Sequence, residues 1–294
     1  MRYRPFAARL LVASVLLAGG CASSPATPPQ ERLSVERKAL LAEGVSETSG
    51  LAANAGRLWT HNDSGDQPRL YAISPESGEV IGKYRLQDTL NFDWEELAQD
   101  RDYLHVFDCG NNMGRREWMQ IYSVRWTDLA RGAVDSVPSR LTEFRFVDAE
   151  PSAGAYEHNN DCEAATVVGE ELWVFSKNWQ DLQTRLYRLT ADGGRHDLAS
   201  EGRYPVGGLI TAADYDPRRQ QLALLGYTRK RFSSSAFIWL VPVAQGELDW
   251  SRARRHSVSP AGQWEAVLWQ PEGLLLTREA SLLGQSWLGF IPLP

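Results

Sequence analysis

Three glutamates hold equivalent places in a repeated pattern. Glu95, Glu163 and Glu265 each open a short apolar run, and nine residues later a leucine (Leu104, Leu172, Leu274) begins a second one. Ser49 and Thr211 occupy the same place in two further copies, and Asp93 and Asp161 stand two residues ahead of the first two glutamates. Past the second runs lie His61-Asn62-Asp63, Asp108, Asn111-Asn112, Lys177, Arg229 and Arg278. Carboxylates brought to one point repel unless something neutralises them. A hard cation such as Ca²⁺, with six to eight oxygen ligands, is one neutraliser; its candidate ligands are Glu95, Glu163, Glu265, Asp63, Asp108, His61, Asn62 and Asn112. Pairing with Lys177, Arg229 and Arg278, or with Arg115 and Arg116, is a second, and would equally hold an anion. A ring of strand-capping hydrogen bonds with no ligand is the third reading, and His61 alone fits that one best.

Motifs for covalent chemistry are missing. Gly44-Val45-Ser46-Glu47-Thr48 fails the nucleophile-elbow pattern at its last position. The sequence contains no phosphate-cradling glycine loop, no His-Glu-x-x-His and no complete EF-hand loop.

The elements that must position these groups come from the same repeat. Behind each pair of runs stands a third: Leu70-Tyr71-Ala72-Ile73, Ile121-Tyr122-Ser123-Val124, Leu186-Tyr187-Arg188-Leu189, Ile238-Trp239-Leu240-Val241 and Leu288-Gly289-Phe290-Ile291. Self-similarity at this period, built from short β-type runs, predicts an all-β fold, a β-propeller of five blades, with six ranked second. Outer strands are expected at 79–84, at 141–146 and near His196 to Arg203. The chain stops after the third strand of its last unit, so residues 33–43 are expected to close the ring as an N-terminal strand. In a blade the start of the first strand and the end of the second share a face, which brings the acids and bases to one channel mouth. Trp59, Trp173, Trp239 and Trp287 read as packing between blades.

At 294 residues, 43% of them hydrophobic, the chain can bury a full core, and 33–294 reads as a single domain. Residues 1–20 read as an export signal: Arg2, Arg4 and Arg9 precede the apolar stretch Leu10 to Ala18, which is too short to span a bilayer. Ala18-Gly19-Gly20-Cys21 resembles the lipobox of bacterial lipoproteins. That resemblance implies a lipidated Cys21, residues 21–32 as a flexible tether, and anchoring to the cell envelope, with Ala22 pointing to the outer membrane. Loss of residues 1–20 leaves 28 basic against 37 acidic side chains, a net charge of −9. Such a chain has no electrostatic means of holding nucleic acid or anionic lipid, so its only membrane contact would be the anchor. Cys109 and Cys162 fall on the same face of neighbouring blades, where they form a disulfide or remain two buried thiols.

His61-Asn62-Asp63-Ser64-Gly65, Asp93-Trp94-Glu95-Glu96-Leu97-Ala98, Asp108-Cys109-Gly110-Asn111-Asn112 and Asp161-Cys162-Glu163-Ala164 resemble the motifs of a bacterial propeller family related to the SdiA-regulated and esterase-like-phytase groups. The resemblance implies a propeller with calcium at its acidic mouth. Asn111 departs from it, standing where the family often has Asp. The function expected is non-catalytic binding of a small ligand or an envelope protein at that mouth. The alternative is calcium-assisted phosphoester hydrolysis with Lys177, Arg229 or Arg278 holding the anion.

Overall fold

The computed structural model describes residues 31–132, 136–230, 233–281 and 284–293. The expected export signal, Cys21 and nearly all of the expected tether lie outside the described residues. Two short strands come first, β1 (Arg32–Ser34) and β2 (Glu36–Leu40). Blade one follows as β3 (Thr48–Asn54), β4 (Arg57–Asn62), β5 (Arg69–Ile73) and β6 (Val80–Arg85). Blade two is β7 (Trp94–Gln99), β8 (Tyr103–Asp108), β9 (Met119–Arg125) and β10 (Arg140–Phe146), with the one-turn helix α1 (Trp126–Leu129) before the last strand. Blade three is β11 (Asp161–Val168), β12 (Glu171–Lys177) and β13 (Thr184–Leu189); β14 (Arg195–Leu198) then leaves it, and β15 (Gly202–Tyr204) completes it. Blade four holds β16 (Leu209–Asp216), β17 (Gln221–Lys230), β18 (Ser233–Ala244), the small β19 (Glu247–Leu248) and β20 (Arg254–Ser259). Blade five holds β21 (Trp264–Gln270), β22 (Gly273–Arg278) and β23 (Trp287–Pro292).

Antiparallel pairing of β2 with β23 supplies the fourth strand of blade five, so the N-terminal strand closes the ring as its missing edge required. The first hairpin shows how the local sequence makes a blade. Ala55 and Gly56 both have positive φ, 51° and 74°, the geometry of a two-residue turn whose twist matches the flanking strands.

Five apolar cores account for five blades. Each joins two neighbouring sheets: Trp59 with Trp94, Phe107 with Val174, Phe175 with Leu224, Ile238 with Trp264, and Leu51 with Leu268. The last of these closes the circle between blades five and one. Trp59, Trp173 and Trp287 are buried in these seams, and Trp239 packs on Trp250 at 4.7 Å.

Two edge assignments differ from the sequence expectation. The segment at His196 does not pair with blade three, although Leu198 packs in the same core as Tyr187 and Leu189 of that blade. β14 lies parallel on the outer edge of β10 in blade two, where Arg145 pairs with Asp197 and Arg195 with Glu143, each at 2.6 Å. The closing segment is also split: β1 pairs in parallel with β20 of blade four before the chain crosses to blade five, so Arg32 is already part of the fold. Alternation of apolar residues fixes which face of an edge strand is buried. Which neighbour it joins depends on contacts distant in sequence.

Candidate functional site: the acidic channel mouth

All five inner strands carry a β-bulge at one end. Pairing with the second strand slips between Ser49 and Ala52, Trp94 and Glu96, Cys162 and Ala164, Ile210 and Ala212, and Trp264 and Ala266. In four strands the unmatched residue is Glu95, Glu163, Thr211 or Glu265, the position the repeat singled out. A bulge re-aims a side chain out of strand alternation, which is how a residue type repeated along the chain becomes a cluster in space. Ser49 and Thr211 use their hydroxyls to bond the next blade, at Glu95 O (2.6 Å) and Trp264 O (3.0 Å). Deeper in the channel Glu96 accepts from the Ala213 N–H at 2.9 Å, a bond from blade two across to blade four.

The three glutamates line one cavity of about 180 Å³ together with Asp63, Glu279 and Lys177. Glu163 is committed: the Lys177 ammonium is 2.6 Å from it, and both are buried. Although burial works against its charge, that carboxylate holds Lys177 protonated above its ordinary range. Among the described residues, no lysine or arginine pairs with the other acids of the cavity as Lys177 does with Glu163. Burial first, and neighbouring carboxylates second, push Asp63 up to about 8 and Glu279 up to about 9; burial pushes Glu265 up to about 7. Ligand oxygens of Asp63, Asp93 and Glu95 lie within 4.8 Å of one another. Within this trio one oxygen of Glu95 and one of Asp63 are buried without a hydrogen-bond partner. Gly110 seals the cluster, since a Cβ there would collide with the carboxylate oxygens of Glu95 and Asp93. Buried acceptors with no donor fit a hard cation, for which carboxylate oxygens are the natural ligands.

Other residues from the sequence reading are near the mouth but not in it. His61 is fully buried, its ring edge-on to Trp94 at 5.5 Å, and burial takes its pKa down to about 4. Asn62 ties the Gly44 carbonyl and Asp66, each at 3.0 Å, and bonds the Glu47 N–H. Asp108 is buried against Arg116 at 2.7 Å and accepts from the Asp93 N–H, so it places the Asp93 loop. Asn112 does line the cavity. Of the proposed anion-binding residues only Lys177 does. Arg229 is exposed, with its guanidinium 5.7 Å from the Trp179 ring, and Arg278 lies 5.3 Å over Trp287. Sequence reasoning passed over Tyr156, Trp179 and Gln263, which also line the cavity. They sit in loops, where no repeat marks them; only the position of Trp179, two residues past Lys177, was a signal.

Cys109 and Cys162 form a disulfide with Cα atoms 5.4 Å apart, joining the end of β8 to the start of β11 beside the glutamates. A separate Ser–His–Asp relay runs through blade two: Ser123 Oγ to His105 Nδ1 at 2.9 Å, and His105 Nε2 to Asp100 Oδ2 at 3.1 Å. Ser123 is 2% exposed and faces His105 across the β8–β9 ladder, so its hydroxyl is a strut and not a nucleophile that substrate can reach.

No protein-family model matches the chain, and no curated protein does. Solved structures match it in fold. A hypothetical protein from Leishmania major is 11% identical, with 88% of this chain and 91% of that one covered at a TM-score of 0.50. The exo-β-1,3-galactanase 1,3Gal43A from Clostridium thermocellum is 12% identical, with 87% of this chain and 59% of that one covered at a TM-score of 0.52. Identities this low speak for architecture alone; they leave the motif resemblance to the SdiA-regulated and phytase-like propellers without further support. The chain is a five-bladed β-propeller.

Proposed function

We propose that this protein is an envelope-anchored lipoprotein whose propeller binds a ligand, without catalysis, at the acidic mouth, with Ca²⁺ held by Asp63, Asp93 and Glu95. The observation that supports the cation is that Asp63 and Glu95, each with a buried oxygen lacking a partner, line one cavity and that their ligand oxygens lie within 4.8 Å of an oxygen of Asp93. Leaving such acceptors unmet costs about 1–3 kcal/mol each, so a bound cation would stabilise the fold directly. Phosphoester hydrolysis is the weaker reading. A phosphate would meet five carboxylates and one lysine already spent on Glu163, with Arg229 and Arg278 outside the cavity.

The test is the melting temperature in EDTA and in millimolar Ca²⁺. A ligand that binds only the native state at about 100 times its Kd adds about 2.7 kcal/mol, or about 5–10 °C for a domain of this size. The gain is expected in the native sequence and absent in Asp63→Asn and Glu95→Gln. An identical melting point in both buffers for the native sequence would remove the cation from this proposal.

A further inference from the structure

The mouth is walled by aromatic rings as well as acids. Tyr156, Trp179 and Tyr227 line the same cavity as Glu95 and Glu265. Trp179 is half-buried and fixed by its Nε1–H, which donates to Asp161 Oδ2 at 2.7 Å. Tyr156 packs edge-on to it at 4.8 Å. Tyr156 is itself 52% exposed and has a φ of +59°. A non-glycine residue in that region costs free energy, and an exposed ring recovers little of it by burial. At Asn112 the cavity meets a second one of about 430 Å³, lined by Phe92, Met113 and Trp118, with Phe92 62% exposed. Unlike the strand tryptophans in the seams, Tyr156, Trp179, Phe92 and Trp118 sit in loops; Tyr227 stands near the end of β17, and Trp118 carries the Arg145 and Arg195 guanidinium groups at 4.8 and 5.0 Å.

The chemistry of the opening selects a ligand class. Its acids repel anions. Its acceptors, the carboxylates and the Asn112 and Gln263 amides, suit hydroxyl donors, and its rings suit flat C–H faces. One molecule that offers both together, without charge, is a sugar ring. We propose that the ligand of the mouth is a carbohydrate, with its C–H face against the Tyr156–Trp179 wall, its hydroxyls on Glu95, Glu265 and Asn112, and its next unit over the exposed Phe92. This inference rests on the mouth being a binding site, and does not require the cation.

The full-length chain is tested against arrayed neutral oligosaccharides, with a lysine- and arginine-rich peptide in the same format, in Ca²⁺ and in EDTA. Retention of at least one saccharide series is expected, with affinity about tenfold weaker in Trp179→Ala and in Tyr156→Ala. Tyr156→Ala, at an exposed position, is expected to keep the native melting temperature, which separates lost contact from lost folding. The inference is overturned by retention of the peptide alone, by retention of no saccharide, or by saccharide binding that neither substitution weakens. If saccharide is retained equally in EDTA and Ca²⁺ leaves the melting point unmoved, the carbohydrate inference stands and the cation falls. If Ca²⁺ raises the melting point and no saccharide is retained, the cation stands and the carbohydrate falls.

Discussion

Glu163 and Lys177 neutralise each other 2.6 Å apart with almost no access to water. Removing one partner therefore leaves the other as a buried lone charge, whereas removing both leaves a gap that apolar atoms can fill. Glu163→Gln is expected to destabilise by about 3 kcal/mol, toward the low end of such effects because Asp161 and Glu265 also lie near the ammonium. Glu163→Gln combined with Lys177→Met should recover most of that loss. Urea denaturation of the single and double variants measures both, and equal stability of the two would show that the pair is not the unit described. The pair also divides the mouth chemically. It spends Glu163 on Lys177 and leaves one buried oxygen each of Asp63 and Glu95 without a hydrogen-bond partner.

At the scale of the elements, the two N-terminal strands are structural parts of blades that lie far along the chain. β2 covers the edge of β23, β1 covers that of β20, and Leu33, Val35 and Leu41 are buried beside them. Truncation to residue 44 should remove burial worth about 5 kcal/mol for three aliphatic side chains and expose two strand edges to intermolecular pairing. Thermal unfolding and size-exclusion chromatography are the measurements. A truncated chain that melts within a few degrees of the native one and stays monodisperse would mean that blades four and five close without these strands. The bulges show a different use of an element. One extra residue per inner strand turns four side chains out of alternation at the same height, and three of these are glutamates.

Taken as a whole, the propeller concentrates acids at its axis, and that sets its response to pH. Asp63, Glu265 and Glu279 at the mouth are raised to about 8, 7 and 9, and burial raises Asp214, at the far end of the channel, to about 7. In the unfolded chain such carboxyls titrate near 4, so between about pH 4 and 9 the folded state holds the extra protons. Stability is then highest at the acid end of that window and is lost as pH rises through the folded values. The melting temperature in EDTA is expected to fall from pH 5 to pH 9. Ca²⁺ should flatten the part of the fall owed to the mouth and leave the part owed to Asp214. A level profile in EDTA would contradict the burial that places these groups at the axis.

The amino-acid sequence by itself determined the number of blades, the closing strand and the alignment of Glu95, Glu163 and Glu265. These follow from a local period of hydrophobicity and turns, and any stretch that repeats the pattern must take the same place in its blade. Only the tertiary structure decided that Glu163 belongs to Lys177, that Asp63 and Glu95 carry the unpartnered oxygens and that Asp93 lies beside them. It alone placed His61 and Asp108 outside the lining of the cavity, joined Cys109 to Cys162, and gave residues 195–198 to the neighbouring blade. Loop residues such as Tyr156 and Trp179 carry no period. Their positions are set by contacts between segments far apart in the chain, which become neighbours only when the ring has closed.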